Sequence, residues 1–181
     1  MTQRKIEVLA EGKHLRLVRE GRWEFVTRTK PVGAAFIGAI TQDGCFLITD
    51  EYRIPLAASV IGCPAGLIGD LQDQANENVI EAVKRELIEE AGYEAGHVEV
   101  LTRGPTSAGQ IDEVMTIVLA TNLKKVGTGG GVGDEQIAVH EVPLTEIHDW
   151  LDAKHKQGRL IDPKVYTVLY FVLAKMRGLA G

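Results

Sequence analysis

The chain has 181 residues, 45% of them hydrophobic, which suits one domain with a core of its own and room for a small appendage. A balance of 20 Lys and Arg against 25 Asp and Glu gives a net charge of −5, and this excludes a broad nucleic-acid-binding face, which needs clustered cations to neutralise phosphates. The start carries no apolar run long enough for a secretion signal, and the longest run, YTVLYFVLA, is about half a membrane span, so the chain is expected in the cytoplasm with no membrane partner.

Residues 4–28 predict three short antiparallel strands, KIEVLAEG, HLRLVRE and RWEFVTR, separated at Gly12 and Gly21. Two apolar runs follow, VGAAFIGAI and CFLIT, and the Gln42-Asp43-Gly44 turn between them is a hairpin signal that opens the core sheet. Residues 64–76 read as a loop. The segment 77–91 places Ile80, Val83, Leu87 and Ala91 at helical spacing, and Gly92 stands where a helix stop belongs. Strands are expected at HVEVLTR, EVMTIVLAT and IAVHEV, with a glycine-rich stretch before the last, and helices at about 144–156 and 163–177. Strands mixed with three helices, without regular βαβ alternation, give an α+β class or a mixed-sheet sandwich, and no internal repeat is present. Cys45 and Cys63 lack metal-ligand spacing and read as free thiols, so neither zinc nor thiol chemistry is expected.

The stretch RELIEEAGY poses a physical question. On a helix Glu86 and Glu90 point the same way, with Glu89 on the flank nearer Arg85. Their Cβ atoms stand about 5–6 Å apart, so the two carboxylates repel each other. Arg85 reaches Glu81 and Glu89 at four-residue spacing, and Glu86 and Glu90 are expected to lack a helical partner. A hard divalent cation that takes oxygen ligands, such as Mg²⁺, supplies the counter-charge; a solvated acidic face is the alternative.

These residues resemble the signature of the Nudix hydrolase family, Gly-x5-Glu-x7-Arg-Glu-U-x-Glu-Glu-x-Gly-U, with U a bulky aliphatic. Glu77, Arg85-Glu86-Leu87, Glu89-Glu90 and Gly92 match it residue for residue from its first glutamate onward, while Tyr93 replaces the final aliphatic. The position six before Glu77 is Leu71 instead of glycine; Gly66, separated from Glu77 by ten residues where five are expected, is the substitute, as after a five-residue insertion. The resemblance implies a mixed β-sheet core sandwiched between helices, with an N-terminal antiparallel unit at 1–30 and the Nudix domain at 31–181. It further implies that Glu86 and Glu90 ligate Mg²⁺ (or Mn²⁺), that the Ala65 carbonyl adds a backbone ligand, that Glu89 assists, and that Arg85 orients the glutamates. Family members cleave a diphosphate linked to another group.

RWEFVTR, EYRIP, PAG and TSAGQIDE stand in the order of the branch that hydrolyses ADP-ribose and related nucleoside diphosphate sugars. Trp23 offers a flat apolar face to a nucleobase, or an anchor for packing at a core or dimer interface. By resemblance it stacks on the base and Glu24 accepts from base amino groups. Arg28 and Arg53 are candidates for phosphate contacts, which suit a guanidinium fork. The segment GTGGGVGDEQ is expected to be a mobile lid that carries Glu135, or alternatively Asp134, onto the metal or its water. Glu113, near the Gly109 turn, reaches toward the distal sugar or its water. The branch also implies a homodimer. The competing expectations are a catalytically inactive nucleotide-sugar sensor that regulates a partner, and a hydrolase of another nucleoside diphosphate derivative.

Overall fold

The computed structural model describes residues 5–30, 33–69 and 78–178. The N-terminal unit forms as expected from its alternation: β1 (Glu7–Glu11), β2 (Leu15–Glu20) and β3 (Trp23–Arg28) make an antiparallel sheet of their own. Gly21, at φ 60, turns the chain between the last two, a backbone angle that costs glycine little. Beside β3 the segment around Gln110 runs as a partial extra strand. The Val26 N–H donates to the Gln110 carbonyl at 2.8 Å, and the Asp112 N–H donates to the Val26 carbonyl at 3.4 Å.

The remaining strands build two mixed sheets. In one, β7 (Ala65–Ile68), β4 (Gly33–Ala39), β9 (Val114–Lys125) and β8 (Tyr93–Pro105) lie side by side, with β4 and β9 parallel. In the other, the order is β10 (Ile137–Pro143), β5 (Cys45–Arg53), β6 (Ala58–Gly62) and β11 (Leu160–Ile161), with β6 and β11 parallel. The expected hairpin at Gln42-Asp43-Gly44 is therefore corrected. The turn forms, with the Gly44 N–H donating to Thr41, yet past the single Ile40–Phe46 bridge β4 and β5 diverge into different sheets. Strand β6 was not anticipated, and Ala65–Ile68, expected as loop, pairs antiparallel with β4.

Alternating residues of these strands feed two cores, which makes the arrangement a sandwich. Phe46, Ile48, Ile117 and Leu119 pack with Ile147 and Leu151 of α2 (Ile147–Lys156) and with Val165, Val168 and Val172 of α3 (Pro163–Met176). Leu47, Val118 and Ala120 face the other way, onto Val83 of α1 (Val79–Glu86) and onto Leu87 and Ala91. Helix α1 starts at a capping box: the Asn78 side chain accepts from the Ile80 and Glu81 N–H groups, and the Glu81 carboxylate accepts from Asn78 N–H. Its continuation, Leu87–Ala91, widens into a π-helical turn and stops at Gly92, φ 75, as the sequence predicts. Glu77 and Leu71 lie outside the described residues. Among the described residues no helix is long and apolar enough to cross a membrane.

Candidate active site

A cavity of about 420 Å³ opens where β5, β7 and the α1–π segment converge. Its walls carry Glu51, Glu86, Glu90, Glu113 and Glu135 against Arg28 and Arg53, an excess of three acidic over basic side chains. Glu90 is the innermost, only 8% exposed. Burial is the main reason its carboxyl is pushed up to about 8; the Ala65 N–H, donating to it at 3.0 Å, opposes this, and the charges of Glu86, Glu135 and Glu51 add to it. The Glu51 carboxyl is also raised, mainly by burial, with Arg53 opposing and Glu135 reinforcing.

The expectation that Glu86 lacks a helical partner is corrected. Arg85 donates to Glu86 at 2.8 Å as well as to Glu89 at 3.3 Å, and its other nitrogen reaches the Leu67 carbonyl at 3.2 Å. A guanidinium at the end of a flexible stem bridges the roughly 100° between neighbouring helix positions that Cβ directions alone leave open. Glu90 takes its partner from β7 instead of from the helix. Gly66, next in that strand, is required by this packing: a Cβ there would overlap the Glu86 carboxyl.

The glycine-rich segment is docked. Gly130 N–H donates to the Glu90 carbonyl at 2.9 Å and Gly131 N–H to the Glu89 carbonyl at 3.0 Å, while Val126 and Gly127 bond to Gly92. These bonds satisfy carbonyls that the helix end leaves open. A Cβ on Gly92 would meet the Gly127 backbone, and one on Gly129 the backbone of Glu90 and Ala91, so the glycines permit close packing of main chain on main chain. That is a different use from the hinge freedom of an expected lid. Glu135 is fixed by accepting from Val132 N–H at 2.9 Å, and it lines the cavity, whereas Asp134 does not.

Of the residues singled out from sequence, Arg28, Arg53, Ala65, Glu86, Glu90, Glu113 and Glu135 converge on this cavity. Arg28 is held by Glu113, with contacts of 2.6 and 2.7 Å, and Arg53 by Glu51 at 2.8 Å. Trp23 lies elsewhere, in a hollow of about 440 Å³ with Phe25, Gly109 and Ile111. Glu24 alternates to the opposite face of β3 and pairs with Arg19 at 2.6 Å, so this chain does not bring Glu24 to the base-stacking face of Trp23. Glu51 is the residue that sequence reading missed. The period of two would have found it, because choosing Arg53 on a strand selects the side chain two positions earlier for the same face.

Among the described residues no three His, Cys, Asp or Glu side chains are gathered closely enough to hold a metal ion. The donor chemistry nevertheless fits a hard divalent cation: all the acidic groups are oxygen donors, and the deepest is costly to ionise without a positive charge beside it.

A family model described as the NUDIX domain matches residues 29–167. The chain is 30% identical over 141 residues to methanol dehydrogenase activator of Bacillus methanolicus, covering 77% of this chain and 71% of that one. It is 32% identical over 150 residues to GDP-mannose pyrophosphatase of Pectobacterium atrosepticum, with 79% and 73% covered. Identity to ADP-ribose pyrophosphatase of Bacillus subtilis is 30% over 146 residues, with 80% and 74% covered. Among solved structures, a crystal structure of an ADP compounds hydrolase matches with a TM-score of 0.74 at 22% identity, covering 97% of this chain and 95% of that one, a likeness of fold.

Proposed function

The chain belongs to the NUDIX family, and from that premise we propose that it hydrolyses the pyrophosphate bond of nucleoside diphosphate sugars, releasing a nucleoside monophosphate and a sugar phosphate. ADP-ribose is the first substrate, with GDP-linked sugars beside it. The observation that carries this reading is the cavity itself, where a buried, cation-demanding Glu90 stands among further carboxylates and two arginine forks border the same space.

Glu86, Glu90 and the Ala65 carbonyl would hold magnesium, or manganese in its place, with Glu89 assisting from the flank. When bound, such an ion polarises phosphorus and lowers the pKa of water. Arg85 orients Glu86 and Glu89. Arg28 and Arg53 exchange their present carboxylate partners for phosphate oxygens, which a guanidinium fork binds two at a time. Glu113, relieved of Arg28, turns to the distal sugar, and the Glu135 carboxylate takes the proton of the attacking water. The N-terminal unit, residues 1–30, serves base binding through Trp23 and pairing of two copies, residues 31–181 form the hydrolase domain, and the protein works in the cytoplasm.

The test is a panel of ADP-ribose, GDP-mannose and UDP-linked sugars incubated with Mg²⁺ and followed by release of nucleoside monophosphate. Turnover of at least one is expected, and its loss on chelation; inertness toward the whole panel with both metals overturns the reading. A second reading, regulation of a partner dehydrogenase, is favoured by the name of the Bacillus methanolicus relative. It predicts stimulation of an added alcohol dehydrogenase that is undiminished in Glu90→Gln.

A further inference from the structure

Two ion pairs stand on the walls of the acidic cavity, Arg28 with Glu113 at 2.6 Å and Arg53 with Glu51 at 2.8 Å. In the second pair the two members are seated differently. Glu51 lies on β5 where the strand has a neighbour on each side, Ile137 of β10 and Val60 of β6, so its main chain is fixed. Arg53 ends the strand, paired with Ala58 of β6 and past the last residue that β10 covers. Its side chain is 53% exposed, against 18% for Glu51. A long guanidinium stem at a strand end has rotamer freedom to lose, and the firmly seated carboxylate two positions earlier on the same face aims it into the cavity.

A negative charge at position 51 is unfavourable for its surroundings. It bears on both Glu90 and Glu135, whereas Glu113 is not among the groups that act on Glu90. A glutamine at position 51 would offer Arg53 an oxygen acceptor of the same reach without adding a negative charge beside Glu90. The charge is therefore the part of Glu51 that aiming Arg53 does not require.

What that charge does follows from the exchange of partners that diphosphate binding demands. In the ligand-free protein Arg53 compensates Glu51. A phosphate oxygen that takes Arg53 displaces the carboxylate, and this leaves Glu51 mostly buried, uncompensated, and facing Glu90 and Glu135. A divalent cation held at Glu86 and Glu90 removes that penalty. We propose that Glu51 is a positioning residue that makes the two bindings cooperative: without the cation it competes with the diphosphate for Arg53, and with the cation it yields. By reciprocity the diphosphate strengthens cation binding by the same factor. Arg53 is thereby kept from holding a nucleotide when the metal needed to cleave it is missing. This deepens the function given above and rests on it for the identity of the two occupants.

The test is calorimetric binding of methylenediphosphonate, a diphosphate analogue that resists hydrolysis, to the wild type, Glu51→Gln and Glu51→Asp, each with and without Mg²⁺. Without metal, Glu51→Gln is expected to bind about tenfold more tightly than the wild type, since the competitor for Arg53 and one negative charge are both gone. The factor by which Mg²⁺ strengthens binding should be roughly tenfold smaller in Glu51→Gln than in the wild type. Association of Mg²⁺ with the free ligand is common to all three proteins and cancels in that comparison. Glu51→Asp keeps the charge and should keep most of the factor. Metal-free binding that is unchanged or weaker in Glu51→Gln overturns the inference. So does an equal Mg²⁺ factor in that variant and the wild type, or a Glu51→Asp that behaves like Glu51→Gln. The panel of nucleotide sugars separates this inference from the function: coupling without turnover of any of them sinks the substrate reading alone, and turnover without coupling sinks the role of Glu51 alone.

Discussion

The carboxyl group of a glutamate residue only 8% exposed, with three further carboxylates around it, is costly to ionise, and Glu90 bears that cost with one backbone N–H to offset it. Replacing it by glutamine keeps an oxygen for the Ala65 N–H and removes the charge. Glu90→Gln is therefore expected to lower turnover by roughly two to three orders of magnitude while the metal-free melting temperature stays equal or rises. Thermal melts alongside kinetics check both halves, and a large fall in melting temperature would return Glu90 to a structural role. Gly66 makes the complementary case. Alanine fits its extended backbone, but the new methyl displaces the Glu86 carboxyl, which Arg85 holds in place. Gly66→Ala should cost about a hundredfold in kcat, the order that a 1 Å misplacement exacts, with the melting temperature nearly unchanged. Normal kcat in that variant would show that Glu86 has room to move without consequence.

At the scale of elements, the helix was legible and its last turn was not. The spacing of Ile80, Val83, Leu87 and Ala91, with Gly92 behind them, specifies a helix and its stop because both depend on local chain geometry. The π-helical turn at Leu87–Ala91 depends on what docks against it, and that is the segment from Val126 to Gly131, some forty residues later in the chain. The same division explains the Gln42-Asp43-Gly44 turn, whose chemistry is local, and the divergence of β4 and β5, whose partners β9 and β10 are remote. Close backbone packing at Gly92 makes a prediction. Alanine there would sit at φ 75 and overlap the Gly127 backbone, so Gly92→Ala should destabilise by about 3 kcal/mol, read as a melting-temperature drop of roughly 10 °C. A stable variant would mean that the glycine-rich segment yields easily. The β10–α2 contact carries another. The His140 ring lies 5.1 Å from Trp150 with its Nε2 buried and without a hydrogen-bond partner among the described residues, near Lys154, Asp50 and Arg159. Burial is the main cause that holds its pKa below the usual histidine value, with Lys154 next. A depressed histidine pKa adds stability above the unfolded value, about 6.5, that is lost as pH falls through the folded one. Melting temperature should accordingly decline below about pH 6.5, and His140→Phe should flatten that decline; an identical acid slope in both proteins would assign it to other groups.

At the scale of the whole molecule, the N-terminal sheet is the region that cannot account for its own stability. A three-stranded sheet needs an apolar face packed on something, and within β1–β3 Val18 alone is fully buried, while Val8, Leu15, Leu17 and Trp23 remain exposed. The register puts Leu15, Leu17 and Val26 on one face, with the Arg19, Glu24 and Glu7 ion pairs at its edge. An apolar centre with a charged rim is the anatomy of a protein interface, and a second copy of this chain offers the same patch in return. Such a pairing is consistent with Trp23 standing apart from the acidic cavity of its own chain, in a separate hollow. The wild type is expected to sediment as a dimer at micromolar concentration. Leu17→Glu, which places a charge at the centre of the apolar patch opposite Val26, is expected to sediment as a monomer with its secondary structure retained, because Leu17 is already 39% exposed. Base contacts that require two copies would then make KM for nucleotide sugars rise in step with dissociation. A wild type that stays monomeric across that range would leave the N-terminal sheet serving substrate within a single chain.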